Sequence, residues 1–240
     1  MLIDTLPTAR CVAAGNRLLA VLPDVELRRI LAGCESVELG LAEVLFEAGD
    51  RIRHVHFPVT AYVSLLTPMD GATGLEVGLV GDEGMVGTPL ALGVDHSPLQ
   101  AIVQGAGRAL RMKADAFRHV LAASPALRRH LERYLFVRMT QLAQATGCTR
   151  FHVVEARLAR WFLMTQDRAH ATAFHVTHEF LARMLGVRRA GVTKAATALQ
   201  ARGHIRYSRG NVTVLDRAGL AQCACACYRI DLDIYRQAMT

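Results

Sequence analysis

The chain has 240 residues, 52% of them hydrophobic, and 28 Lys or Arg against 21 Asp or Glu give a net charge of +7. That length suits two modest domains, and no apolar run reaches the roughly 18 residues of a spanning helix, so a helical membrane protein is excluded. The first residues carry Asp4 and no basic segment ahead of a long apolar run, so no secretory signal is read; a cytoplasmic location is expected, with Cys11, Cys34, Cys148, Cys223, Cys225 and Cys227 as thiols.

In chain order, Asn16 to Ala32 reads as a helical entry with Leu18, Leu19, Leu22, Leu27, Ile30 and Leu31 apolar and Asp24 as N-cap. From Glu35 to about Met112, β-rich runs alternate with Gly, Pro and Asp: SVELGL, EVLFEAGD, HVHFP, AYVSLL, LEVGLVGDEGMVG, QAIVQG and GRALRM. Turn signals every eight to twelve residues, best at Gly49-Asp50 and Asp70-Gly71, suit an antiparallel roll with an interior able to hold a ligand. Lys113 to Ser124 reads as helix, and Pro125 opens a longer one to about Thr146. Its stripe of Leu127, Leu131, Tyr134, Leu135, Val137 or Arg138, Leu142 and Ala145 is a candidate dimer seam, the alternative being packing on the roll. Gly147 to Arg150 is read as a break, Phe151 to Arg168 as the next helix, and Ala218 to Gln237 as the last.

Thr177 to Ile205 carries the spacing of a helix-turn-helix. Thr177 is the N-cap, Leu181, Ala182, Leu185, Val187, Val192 and Ala195 are the buried positions, and Gly186 takes the corner, where a positive φ is needed. HIRYSRGNVTVLD then reads as two strands about Arg209-Gly210-Asn211, the wing of a winged helix. Residues 150–210 hold 11 Lys or Arg and 3 Asp or Glu, a net of +8, which leaves −1 for the remainder. The basic excess therefore sits in the segment that holds the motif, as phosphate neutralisation requires. Val192, Ala195 and Leu199 face inward on the second helix, so Arg189, Ala190, Thr193, Lys194 and Thr197 face a major groove. Arg189 is the expected guanine reader; Arg188 replaces a capping Ser or Thr and suits a phosphate, as do Arg206, Tyr207 and Arg209 on the wing.

The class is α+β: an N-terminal antiparallel β-roll (jelly-roll-like) over 16–124, a dimerisation helix over 125–147, and a winged helix-turn-helix over 148–240. This order resembles the Crp/Fnr family of bacterial transcription regulators from about Leu18 to Tyr228. EVLFEAGD, HVHFP and EVGLVGDEGMVG look like that family's roll, and RLARWFL and FLARMLGVRRAGVT like its DNA-binding end. The resemblance implies a homodimer on near-palindromic double-stranded DNA, an effector, and RNA polymerase as partner. It places the effector pocket at Glu83, Gly84, Leu99 and Gln100. Members that bind cyclic nucleotides end their phosphate cassette in Arg-Ser; here that pair falls on Leu99 and Gln100, so the phosphate lacks its guanidinium and cAMP or cGMP is not expected. No N-terminal cysteine cluster for an iron–sulfur centre is present, while haem stays open because its axial ligands vary. No cofactor is therefore expected.

Other groups read plainly. Cys223-Ala-Cys225-Ala-Cys227 on one continuous helix would point its thiols apart, with only Cys223 and Cys227 on a shared face, so packing rather than a metal is expected. His54 and His56 share a strand face and are expected at the surface. Glu47, Asp50, Asp82 and Glu83 have no nucleophile or base arranged around them, so no enzyme is expected. The competing reading is a small-molecule sensor that acts through a protein partner.

Overall fold

The computed structural model describes residues 15–69 and 72–239. The expected turn at Asp70-Gly71, and Cys11, lie outside them. The chain divides into two compact units, one of residues 1–63 and 80–135, the other of residues 64–79 and 136–240. Residues 64–79 go with the C-terminal unit. Side-chain chemistry within that unit accounts for the regrouping. Trp161 Nε1 donates to Glu76 at 3.0 Å, and Gly78 leaves room for the Arg138 guanidinium, which a Cβ would strike.

The first unit opens with α1 (Arg17–Ala20) and α2 (Asp24–Ala32). Pro23 occupies the N-cap position of α2 and Asp24 its first turn, one residue from the expected cap, where the carboxylate still favours the helix dipole. Asn16 caps α1, accepting from Leu19 N at 3.2 Å, and its amide donates to the carbonyls of Pro58 at 2.8 Å and Gly84 at 3.0 Å. Strands β1 (Glu35–Leu39), β2 (Val44–Phe46), β3 (His54–Pro58), β4 (Tyr62–Met69), β5 (Ala72–Val80), β6 (Gln100–Gly105) and β7 (Gly107–Lys113) follow in the chain, residues 64–79 of β4 and β5 being counted with the second unit. They form two sheets, ordered β1-β7-β3 and β2-β6-β4-β5. Antiparallel pairing runs from Glu35↔Arg111 to Leu39↔Gly107, and from His54↔Lys113 to Pro58↔Ala109. Alternation along these strands buries Val55, Phe57, Val63, Leu110 and Met112.

His56 is buried rather than exposed, contrary to expectation, because Val86 pairs with it by two backbone hydrogen bonds of 3.0 and 2.8 Å and lies across the strand. Burial, with lesser repulsion from His54, holds its pKa down to about 4. The histidine is therefore kept neutral.

Helix α3 (Ala114–Ala123) precedes α4 (Pro125–Phe151). The latter starts where Pro125 suits the first turn and Ser124 Oγ accepts from Leu127 N at 3.2 Å. It does not break at Gly147. Glycine in a helix costs only about 1 kcal/mol, too little by itself to end one. The Thr146 and Thr149 hydroxyls donate back to Leu142 O and Ala145 O, and the helix ends four residues later than expected of a break there. The proposed dimer stripe is also altered. Leu127, Leu131 and Tyr134 are fully buried within the single chain, and Leu135 is half-buried. Of the expected seam residues Leu142 alone is exposed, and it lies beside exposed Phe136 and Met139. The first two turns of the helix thus feed a core, and the unclaimed apolar face begins only at Phe136.

In the second unit, α5 (Val154–Ala169), β8 (Ala173–His175), α6 (His178–Leu185), α7 (Arg189–Ala201), β9 (Ile205–Ser208), β10 (Asn211–Val214), α8 (Arg217–Cys223) and α9 (Cys227–Met239) follow in order. Leu158, Trp161, Phe162, Leu181, Val192, Leu199, Ile205, Val212 and Leu220 make one buried cluster. The wing has three strands, ordered β8-β10-β9; the sequence reading had β9 and β10 and lacked β8, because three residues are too few for a visible alternation. The expected last helix is two, broken at Ala224 by an extended backbone with ψ 149°.

Candidate nucleic-acid interface

The reading helix is set by small local decisions. Thr177 Oγ1 accepts from Phe180 N at 3.1 Å and starts α6. Gly186 ends it with φ +61°, in the left-handed region that other residues resist, and Val187 N bonds back to Ala182 O at 3.0 Å. A Cβ at Gly186 would also come within 2.8 Å of Leu75 Cδ1. Arg157 adds a device that sequence reasoning missed. Its buried guanidinium donates to Leu185 O at 2.5 Å and satisfies an orphan carbonyl at the end of α6. Nothing in the pattern RLARWFL separates such an inward arginine from an outward one.

Helix α7 then buries Val192, Ala195, Ala196 and Leu199. The opposite face carries Arg188, Arg189, Ala190, Thr193, Lys194 and Thr197, all exposed. Every expected groove-facing residue therefore shares one surface, as the helical period requires. Arg188 is the N-cap, and its side chain makes no capping bond. The start of α7 therefore combines a helix dipole, two arginines and an uncapped first turn, which is a favourable seat for a phosphate.

Two side chains depart from the expected roles. Thr193 Oγ1 donates to Arg189 O at 3.1 Å and also meets His178 Nδ1 at 3.1 Å, so its hydroxyl is committed within the motif. Tyr207 donates its hydroxyl to Val176 O at 2.5 Å, and its ring stacks on His178 with centroids 4.4 Å apart. Tyr207 thus ties the wing to the helix-turn-helix, and its expected role as a phosphate donor is corrected to a positioning one. Partial burial, then the nearby Arg189 charge, lowers the pKa of His178, which keeps that stacked ring neutral.

Arg206 and Arg209 on the wing are exposed as expected. The turn between β9 and β10 is the two-residue Arg209-Gly210, with φ of +49° and +80°, the signature of a tight hairpin turn. Positive φ at a non-glycine is uncommon, and it holds Arg209 at the tip. Not all of the +8 belongs to this surface. Arg157 and Arg160 point inward, Arg160 to Asp231 at 2.5 Å, and Arg202 pairs with Glu155 at 2.5 Å.

The expected effector residues are engaged in contacts within the first unit. Tyr134 packs where a Cβ on Gly84 would sit, and the Gly84 carbonyl accepts from Asn16. Glu83 is buried, with its carboxylate accepting from Gly81 N at 3.1 Å. Gln100 donates to Glu47 at 2.7 Å, and Leu99 N to Ser97 Oγ at 3.2 Å. A cavity of about 310 Å³ in the first unit is lined instead by Leu45, Phe46, Asp50, Arg51, Arg53, His54 and His56.

Residues 156–223 match the family model of the Crp-like helix-turn-helix domain. No curated protein matches the sequence. Among solved structures, the chain is similar to the c-di-GMP responsive global regulator CLP of Xanthomonas campestris. The TM-score is 0.65 at 18% identity, covering 80% of this chain and 99% of that one. It is similar also to FixK2 from Bradyrhizobium japonicum, with TM-score 0.64 at 13% identity, covering 80% and 98%. A CRP/FNR-family transcriptional regulator from Thermus thermophilus gives 0.63 at 20% identity, covering 79% and 98%. These likenesses establish a shared fold, and the matched domain lies on the surface just described.

Proposed function

On the premise that this chain is a Crp/Fnr-type regulator, a Crp-like DNA-binding domain set in the fold of those proteins, we propose that it binds a near-palindromic duplex site as a homodimer. One observation carries this reading: the exposed face of α7 presents Arg188, Arg189, Lys194 and Thr197 opposite a fully buried Val192, Ala195 and Leu199. Arg189 reads guanine with its two-pronged guanidinium, a contact that discriminates by about 1–3 kcal/mol. Arg188, Arg206 and Arg209 hold phosphates and fix the register. Lys194, one turn beyond Arg189, reaches a base edge or the adjoining phosphate. Pairing through Phe136, Met139 and Leu142 sets two reading helices about one helical turn of DNA apart.

The effector is not a cyclic nucleotide in this proposal. Gln100 is turned to Glu47 and Leu99 is apolar, so no guanidinium stands where the cyclic phosphate would need one. The regulator acts in the cytoplasm with RNA polymerase as its partner.

Fluorescence anisotropy on duplex DNA over a salt series is the test. A steep fall of log affinity with log salt is expected, by counterion release. Arg189→Ala should narrow the gap between the selected site and random DNA by roughly 5- to 100-fold, while Arg206→Ala should weaken both alike. Affinity independent of salt would favour a sensor acting through a protein partner. Equal, uniform losses in the two variants would remove α7 as the reading helix.

A further inference from the structure

The break between α8 and α9 creates an arrangement that a continuous helix would forbid. Cys225 lies in the short linker and Cys227 at the first position of α9. Both turn toward the end of α4, where Cys148 and His152 stand four residues apart on one face. The Sγ atoms of Cys148 and Cys225 are 3.6 Å apart, and Cys227 Sγ is 3.4 Å from His152 Nδ1. All four donor atoms lie within 4.8 Å of one another.

We propose that Cys148, His152, Cys225 and Cys227 form a zinc site that joins the end of the long helix to the C-terminal segment. The donor set is three thiolates and one imidazole, the borderline-soft combination that zinc takes in closed, structural sites. Zinc–sulfur bonds of about 2.3 Å put the corners of a tetrahedron roughly 3.8 Å apart, and the two close pairs already stand near that spacing. An iron–sulfur cluster would hold its ligands farther apart than one ion does.

The surroundings fit sulfur anions better than packed thiols. All three cysteines are buried, and Ala156 packs against them. Arg160 Nη1 points at Cys148 Sγ from 3.5 Å, and Gln144 Nε2 donates to Cys227 Sγ at 3.0 Å. Donors aimed at ligand atoms are the usual outer shell of a metal site. Three thiolates and one divalent ion leave a charge of −1 beside the Arg160 guanidinium, whose other terminal nitrogen pairs with Asp231. Cys223 takes no part; Arg202 donates to its sulfur at 3.4 Å, on the other side of the break.

The test uses the full chain, purified under reducing conditions. Elemental analysis after gel filtration should find one zinc per chain. The metal-stripped protein should develop the intense visible bands of tetrahedral, thiolate-bound cobalt on titration with Co²⁺, saturate at one equivalent, and lose them when Zn²⁺ is added. Cys225→Ser and His152→Ala should each weaken zinc retention at least tenfold, whereas Cys34→Ser, in the other unit, should not. Absence of the cobalt bands from the unsubstituted chain while its thiols titrate as free overturns the proposal, whatever the folding of the variants. An iron–sulfur chromophore or a Cys148–Cys225 disulfide in the reduced preparation overturns it as well. DNA binding does not enter the readout, so failure here and failure of the DNA reading are separate results.

Discussion

Individual residues in this chain are defined as much by what surrounds them as by their type. Periodicity alone placed Val192, Ala195 and Leu199 inside and Arg189, Lys194 and Thr197 outside, because a helix of 3.6 residues per turn leaves little freedom once one face is apolar. Arg157 and Tyr207 were not legible in the same way. Each satisfies a backbone carbonyl distant in sequence, Leu185 and Val176, and no local pattern announces such a partner. Gly186 was legible, and it yields a sharp expectation. Gly186→Ala would hold a Cβ in the left-handed region and drive it against Leu75, so a loss of about 1–3 kcal/mol is expected. Urea unfolding should report that drop, and an unchanged midpoint would mean the corner is free to rearrange.

Elements carry the next level of information. The β-runs between Glu35 and Met112 became strands because alternation with turn residues is a strong short-range signal. Their grouping was not visible. On β5, Glu76 accepts from Ser64 Oγ at 2.7 Å and from Trp161 Nε1 at 3.0 Å. Burial raises its pKa to about 7, and the same two hydrogen bonds oppose that rise. Between the unfolded value near 4.5 and the folded value, the native chain binds the extra proton. Its stability contribution is therefore complete below about pH 4.5 and declines as pH rises through about 7. Glu76→Gln, which keeps an acceptor and cannot ionise, should flatten that decline by roughly 1–3 kcal/mol. Emission from Trp161, the chain's one tryptophan, supplies the measurement: a pH-dependent shift in the parent that persists unaltered in the variant would exclude Glu76 as its source.

For the whole molecule, α4 is the decisive element. Its stripe of apolar residues was visible, but not which of them stay uncovered, because Leu127, Leu131 and Tyr134 are consumed by a core within the chain. Phe136 and Met139, exposed by 58% and 70%, lie on the remaining face. A double substitution, Phe136→Asp with Met139→Asp, should shift the protein to monomer in sedimentation velocity. It should also lower affinity for a palindromic site at least tenfold, while leaving a single half-site nearly unaffected. A dimer that survives both charges would move the seam elsewhere.

The winged helix-turn-helix, its inward and outward faces and its corner glycine were determined by the sequence alone, since each depends on neighbours within one or two turns. Tertiary structure decided which arginines turn inward, which part of the long helix remains uncovered, and that Cys225 and Cys227 meet Cys148 and His152. Those outcomes depend on side chains brought together from up to 79 positions apart by a kink at Ala224 and by packing, and a periodic pattern read along one segment carries no record of either.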